Sequence, residues 1–160
     1  MARGQKKTVD NILDLFNKAN GSDRQKWQAN AQKNYEFFLG DQLSSKEKED
    51  LQNGGMPDFI VNRITPVIEM LKFFTTANNP RWQAVGADGS DSDVAAVHSD
   101  IADYCWYNSN GRSLYANAIQ DSLIKGVGYM QVDIDPNQDR GMGEVTFNTI
   151  DPFDVYVDPM

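Results

Sequence analysis

Cysteine is nearly absent from this sequence: Cys105 is the only one in 160 residues. A single thiol excludes an internal disulfide and suits a reducing compartment. Histidine is as scarce. His98 stands alone, two helical turns from Cys105 and about 10 Å away along a helix axis. Zinc bonds of about 2.0–2.3 Å do not span that gap, so His98 reads as a surface or core-edge residue. Long apolar runs are missing too. None approaches the ~18–20 charge-free residues of a membrane span, and the best stretch, Ile64–Phe74, is broken by Pro66, Glu69 and Lys72. The N-terminus is basic (Arg3, Lys6, Lys7) but has no apolar region behind it, so no secretory signal is read. The expectation is a soluble intracellular chain with no membrane contact.

Positive charge is sparse where it would matter for nucleic acid. Residues 1–80 hold 11 Lys+Arg against 10 Asp+Glu, whereas residues 81–160 hold 4 against 13. Tight phosphate binding rests on clustered Lys and Arg, so the second half is not a phosphate-gripping surface. It reads as a solvated acidic face, past which nucleic acid can travel without sticking.

Apolar residues are plentiful, at 40% of the chain, enough for one domain or the opening portion of a larger protein. The stretch that organises the rest is Leu123–Pro159. Gly126 stops a helix there, since glycine takes the left-handed conformation most easily. Met130, Val132 and Ile134 then alternate with polar residues, as do Val145, Phe147 and Thr149 beyond a polar turn. This period of two predicts a hairpin with one buried face. Val155-Tyr156-Val157 reads as a third strand, closed by Asp158-Pro159. The sequence stops at Met160 inside this β-element, so the chain is expected to continue.

Upstream the pattern is helical. Residues 1–7 read as a flexible basic arm. Val9, Ile12, Leu13 and Phe16 mark an amphipathic helix over Thr8–Asn20. Ser22–Gln25 reads as a capping box opening a helix with an aromatic stripe, Trp27, Ala31, Tyr35 and Phe38, that serves core or subunit interface. Trp27, Tyr35 and Phe38 are expected to be shielded in the assembled protein. Ser44–Glu47 is a second capping box, and Thr65-Pro66 resembles an N-cap followed by proline at the first helical position. The helix it opens buries Val67, Ile68, Leu71 and Phe74 and stops before Pro80. A short strand is expected over 81–85 and an exposed loop over 86–92. A helix follows with stripe Val94, Val97, Ile101 and Tyr104 or Cys105, and then another over Arg112–Lys125. The fold class is α+β, predominantly helical with a small antiparallel sheet near the C-terminal end. Its parts are an arm (1–7), a helical region (8–125) and a hairpin with a third strand (126–160).

Chemistry is harder to find. Gly126-Val127-Gly128 lies between helix and strand, the reverse of a dinucleotide loop, and lacks the third glycine, so it reads as a helix stop with close approach. Asp133, Asp135, Asn137, Asp139 and Glu144 have nearly calcium-loop spacing. Gln138 stands where the sharp turn needs glycine, and Pro136 interrupts, so a solvated hairpin turn is the reading. Cys105 has no histidine beside it, and no two carboxylates are placed in a shared apolar cleft. No catalytic, cofactor-binding or metal residue is assigned, no cofactor is expected, and the chain reads as non-enzymatic.

The ordered set of motifs resembles the N-terminal portion of a tailed-bacteriophage portal protein, the head-to-tail connector, of the short-tailed Salmonella podovirus type. The residues that carry this are Tyr35-Glu36-Phe37-Phe38 leading to Gly40-Asp41-Gln42-Leu43, then Val61-Asn62-Arg63-Ile64-Thr65-Pro66-Val67, and then Asn79-Pro80-Arg81-Trp82. Lys125-Gly126-Val127-Gly128-Tyr129, Ile150-Asp151-Pro152 and Val157-Asp158-Pro159 complete it. The resemblance implies a ring of usually twelve identical subunits at one capsid vertex, a channel for genome packaging and ejection. This segment would belong to the outer wing region, with the stem and clip beyond Met160. Implied partners are further copies of the chain, capsid and scaffolding proteins, the terminase large subunit, and tail or neck adaptor proteins. Double-stranded DNA would pass without sequence-specific binding. The implied location is the virion, and the host cytoplasm during assembly. The alternatives are a non-enzymatic head–tail adaptor or helical interaction protein, and a fragment of an enzyme whose active site lies downstream.

Overall fold

Helices supply almost all the regular structure, and one of them touches most of the others. The structure is a computed structural model; it describes residues 3–86 and 91–157, with the backbone alone for residues 3–7. The elements are α1 (Arg3–Ala19), α2 (Ser22–Leu39), α3 (Ser45–Asn53), α4 (Ile64–Thr75), α5 (Ser92–Asn108), α6 (Gly111–Lys125), β1 (Tyr129–Asp135) and β2 (Glu144–Ile150). Helix α6 is the hub, packed against α2, α4, α5 and both strands. The mostly helical α+β class expected from periodicity is what forms.

The hairpin has the register its alternation demands. Val132 faces Phe147, Met130 faces Thr149 and Ile134 faces Val145, so these six share one face of an antiparallel pair. Phe147 is buried on that face against Trp82 and Trp106, with ring centroids 6.1 and 5.3 Å away. Val132 and Ile134 remain exposed, because α5 and α6 cover mainly the β2 side. Behind the cluster, Gly111 lies flat on Trp106: a Cβ there would stand 2.2 Å from the indole.

Helix ends follow the local signals in part. The Ser44 box forms in full: Ser44 Oγ accepts from the Glu47 amide at 3.3 Å, and Glu47 Oε2 accepts from the Ser44 amide at 2.8 Å. The Ser22 box does not form. Gly21 occupies the N-cap in extended conformation and Ser22 is already helical. Thr65 is not the cap of α4 either. Arg63 occupies the N-cap without a side-chain bond, and Asn62 before it supplies the acceptor, its Oδ1 accepting from the amides of Ile64 (2.9 Å) and Thr65 (3.3 Å). Its Nδ2 donates to the Phe38 carbonyl at 2.8 Å, and the Thr65 hydroxyl donates to the same oxygen at 2.5 Å. One asparagine thus satisfies orphan donors at the start of α4 while it and Thr65 serve an orphan carbonyl at the end of α2. This clamp fixes the angle between the two helices.

Three expectations fail, each for a physical reason. The basic segment 1–7 is not a free arm from Arg3 onward, because α1 begins there; Gln5, Lys6 and Lys7 are good helix formers, and Gly4 falls in the first turn, not the helix interior. Residues 81–85 form no strand, since no described strand lies alongside them. Trp82 anchors them in the aromatic cluster, and the Ser99 hydroxyl accepts the Ala84 amide at 2.9 Å. Val155-Tyr156-Val157 forms no third strand. The chain turns at Asp151–Asp154, closed by the Asp154 amide on the Asp151 carbonyl at 2.9 Å, and the segment beyond this turn is held by side chains instead of a ladder. The expected loop 86–92 lies largely, and Asp158-Pro159 wholly, outside the described residues.

Candidate interaction site

The segment that replaces the third strand is gripped by two cations. From α6, Lys125 is buried (side chain 5% exposed) and donates to Asp121 Oδ1 at 2.9 Å and Asp151 Oδ1 at 3.0 Å. It also sits over the rings of Phe153 and Tyr35, at 4.9 and 5.6 Å. From α2, the Arg24 guanidinium donates to the Phe153 carbonyl at 2.7 Å and lies 4.0 Å above the Tyr156 ring. Trp27 Nε1 donates to the Lys125 carbonyl at 2.9 Å, capping the end of α6, where Gly126 has already turned left-handed at φ +87°. Pro152, between Asp151 and Phe153 in the chain, is fully buried. Two helices and the Asp151–Tyr156 segment are therefore joined by charge-assisted bonds, stronger than neutral ones, around a buried ammonium whose partners stay partly in water.

Burial works against charge at both ends of the Lys125–Asp151 pair, and their partners outweigh it. For Lys125 the Asp121 and Asp151 carboxylates hold the ammonium above its usual 10.5. For Asp151 the Phe153 amide and the Lys125 ammonium hold the carboxyl below its usual 3.8. A depressed carboxyl contributes stability above about pH 3.8, which is lost as pH falls through its folded value; a raised ammonium contributes below 10.5 and loses it as pH rises through its own. Thermal melts should therefore show a plateau between those limits with a fall at each end. In Asp151→Asn the acid limb should flatten, and an unchanged limb would exclude the pair as its source.

The residues weighed for chemistry do not converge. His98 is exposed on α5 while Cys105 is buried on the same helix. In the near-calcium loop, Asp135 Oδ1 accepts from the Asn137 amide at 2.9 Å, Asp133 accepts from the Ile134 amide, and Glu144 accepts from Asn108 on α5. Asp139, Arg140 and Gly141 turn with positive φ, and the acids splay along the paired strands. Among the described residues no three His, Cys, Asp or Glu side chains are grouped as a metal would need, and no helix is long and apolar enough to cross a membrane. Gly126-Val127-Gly128 is a helix stop with a close approach: a Cβ on Gly128 would stand 1.9 Å from the Ala118 carbonyl oxygen.

What the chain presents instead is uncovered apolar surface. Val9, Ile12, Leu13 and Phe16 on α1, Val67, Met70, Leu71 and Phe74 on α4, and Val94, Val97, Ile101 and Tyr104 on α5 are 41–66% exposed. On α2, Ala31 is buried, Trp27 and Phe38 are half-buried, and Tyr35 is 36% exposed. Sequence periodicity marked Val67, Ile68, Leu71 and Phe74 on α4, and Val94, Val97, Ile101 and Tyr104 or Cys105 on α5, as buried stripes; Ile68 is half-buried and Cys105 buried, while the other residues, like the apolar face of α1, stay open within one chain. Scattered apolar residues are ordinary on a surface, but continuous stripes on three helices mark contact faces. Periodicity did not single out Arg24 or Lys125. The only local sign was a cation in the last turn before Gly126, since the carboxylate at Asp151 lies 26 residues on.

No curated protein and no solved structure matches the chain. A family profile does: that of the Phage P22-like portal protein matches residues 13–160, nearly the whole length. Helices with open apolar faces agree with a part that packs against neighbours. With that match over 13–160, the chain belongs to the Phage P22-like portal protein family, and its role is a structural one in a phage portal.

Proposed function

We propose that this chain is the wing-like region of a subunit that closes, in twelve copies, into a ring at one capsid vertex. The helical part (residues 8–125) forms the body of the wing. The hairpin and the Asp151–Tyr156 turn form the junction from which the chain runs on towards the stem. The ring serves as the channel for genome packaging and ejection, and as the platform for the terminase large subunit and for tail or neck adaptors. Capsid and scaffolding proteins meet its outer side. It acts in the virion, after assembly in the host cytoplasm, and without a cofactor.

The observation that carries this reading is the open apolar striping of three helices in a chain of this family. A single subunit loses stability by hydrating those faces and recovers it by covering them with neighbours. The acidic balance of residues 81–160 supports the conduit role, because a surface poor in Lys and Arg releases few counterions and does not grip passing phosphates. Negative-stain images of the purified full chain should show closed rings of about twelve-fold symmetry with a central hole. A protein that stays monomeric at every concentration would overturn the proposal.

A further inference from the structure

Helix α1 meets the body across a short joint. Only Asn20 and Gly21 separate it from α2, and Gly21 is extended, at φ −66° and ψ 176°. Locally the joint is crossed by an exposed bond, from Gln25 Nε2 to the Asn20 carbonyl at 3.2 Å. Along α1 the side chains from Val9 to Lys18 are all exposed, and the Asp14–Lys18 ion pair lies within the helix itself. Such a helix draws little support from the body, and one of this length and composition is marginal in water by itself.

One ring spans the joint. Tyr156 has its ring centroid 4.7 Å from that of Phe16 on α1, and the Arg24 guanidinium of α2 lies 4.0 Å from the same Tyr156 ring. The α2 side of this bridge is anchored, since Arg24 also donates to the Phe153 carbonyl at 2.7 Å and lies 5.3 Å from the Trp27 ring. The α1 side rests on one contact between two partly open rings, Phe16 at 42% and Tyr156 at 39% exposed. We propose that Tyr156 is a splint across the Asn20–Gly21 joint. Through it the folded-back Asp151–Tyr156 segment sets the direction of a helix at the start of the sequence. Displacing that segment, or removing the ring, frees α1 to swing about the joint while the body stays folded. The splint stands apart from the ring reading, because both of its contacts lie within one chain.

Amide hydrogen exchange of the full chain, read by peptide mass spectrometry, tests it with Tyr156→Ala and Tyr156→Phe. In Tyr156→Ala the amides of α1 should exchange roughly three- to tenfold faster, the fold-change of losing one aromatic contact, while α6 and the hairpin keep their rates. Tyr156→Phe keeps the ring and should match the parent throughout. Phe16→Ala removes the other half of the contact and should reproduce the α1 effect. Unchanged α1 rates in Tyr156→Ala would mean that something else holds the helix, and a joint rise in α1 and α6 would mean that Tyr156 supports the body as a whole. Either result overturns the splint, as does a Tyr156→Phe variant that behaves like the alanine.

Discussion

Gly128→Ala should cost about 3 kcal/mol or more, enough to leave much of the chain unfolded at moderate temperature. The added methyl would stand 1.9 Å from the carbonyl oxygen of Ala118 and 2.8 Å from its carbon. Both are backbone atoms in the middle of α6, so no side chain can swing aside. Relief requires β1 to lift from α6, and β1 carries β2 with it. Gly126→Ala is the control two residues away. Its methyl meets nothing within 4 Å, and the penalty is only that of holding a non-glycine residue at φ +87°, about 1–2 kcal/mol. Urea melts of the two variants should place Gly128→Ala well below Gly126→Ala. The reverse order would mean that the strand start does not lie against α6 as described.

Removing both carboxylates from Lys125 should have the other large effect. Asp121→Ala with Asp151→Ala leaves an ammonium whose side chain is 5% exposed with neither anionic partner, and breaking a buried pair in this way costs about 3–5 kcal/mol. Each single change should cost less than half of that, because the surviving carboxylate still serves the charge. Adding Lys125→Met to the double variant should return much of the loss, since the stem keeps its contacts with Tyr35 and Phe153 and no charge is left buried. If the triple variant were no more stable than the double, the loss would come from the turn at Asp151, whose carboxylate also accepts the Phe153 amide.

These two sites show how differently residues three apart can be read. Gly128 announced its role: two glycines between a helical and an alternating stretch call for a stop and a close approach, and both are there. Lys125 did not, because a lysine before a helix-ending glycine is common on a surface. Its burial depends on the folding-back of Asp151–Tyr156 and on Trp27 from nearly a hundred positions earlier. The two missed strands failed for the same kind of reason. Arg81–Val85 and Val155–Val157 have strand-forming residues, but a strand exists only with a partner. Here an aromatic cluster and two cations claimed those segments first.

Short-range patterns settled the helices, the two strands of the hairpin and the Ser44 cap, because each depends mainly on residues close together in the chain. The ordered motifs were enough to point to the portal family. The Asn62 clamp, the Lys125 knot and the distinction between covered and open stripes came only with the three-dimensional arrangement. A 3.6-residue period says that a helix has an apolar face, but which neighbour covers that face depends on segments far away in the chain, and among the described residues the faces of α1 and α4 stay largely uncovered.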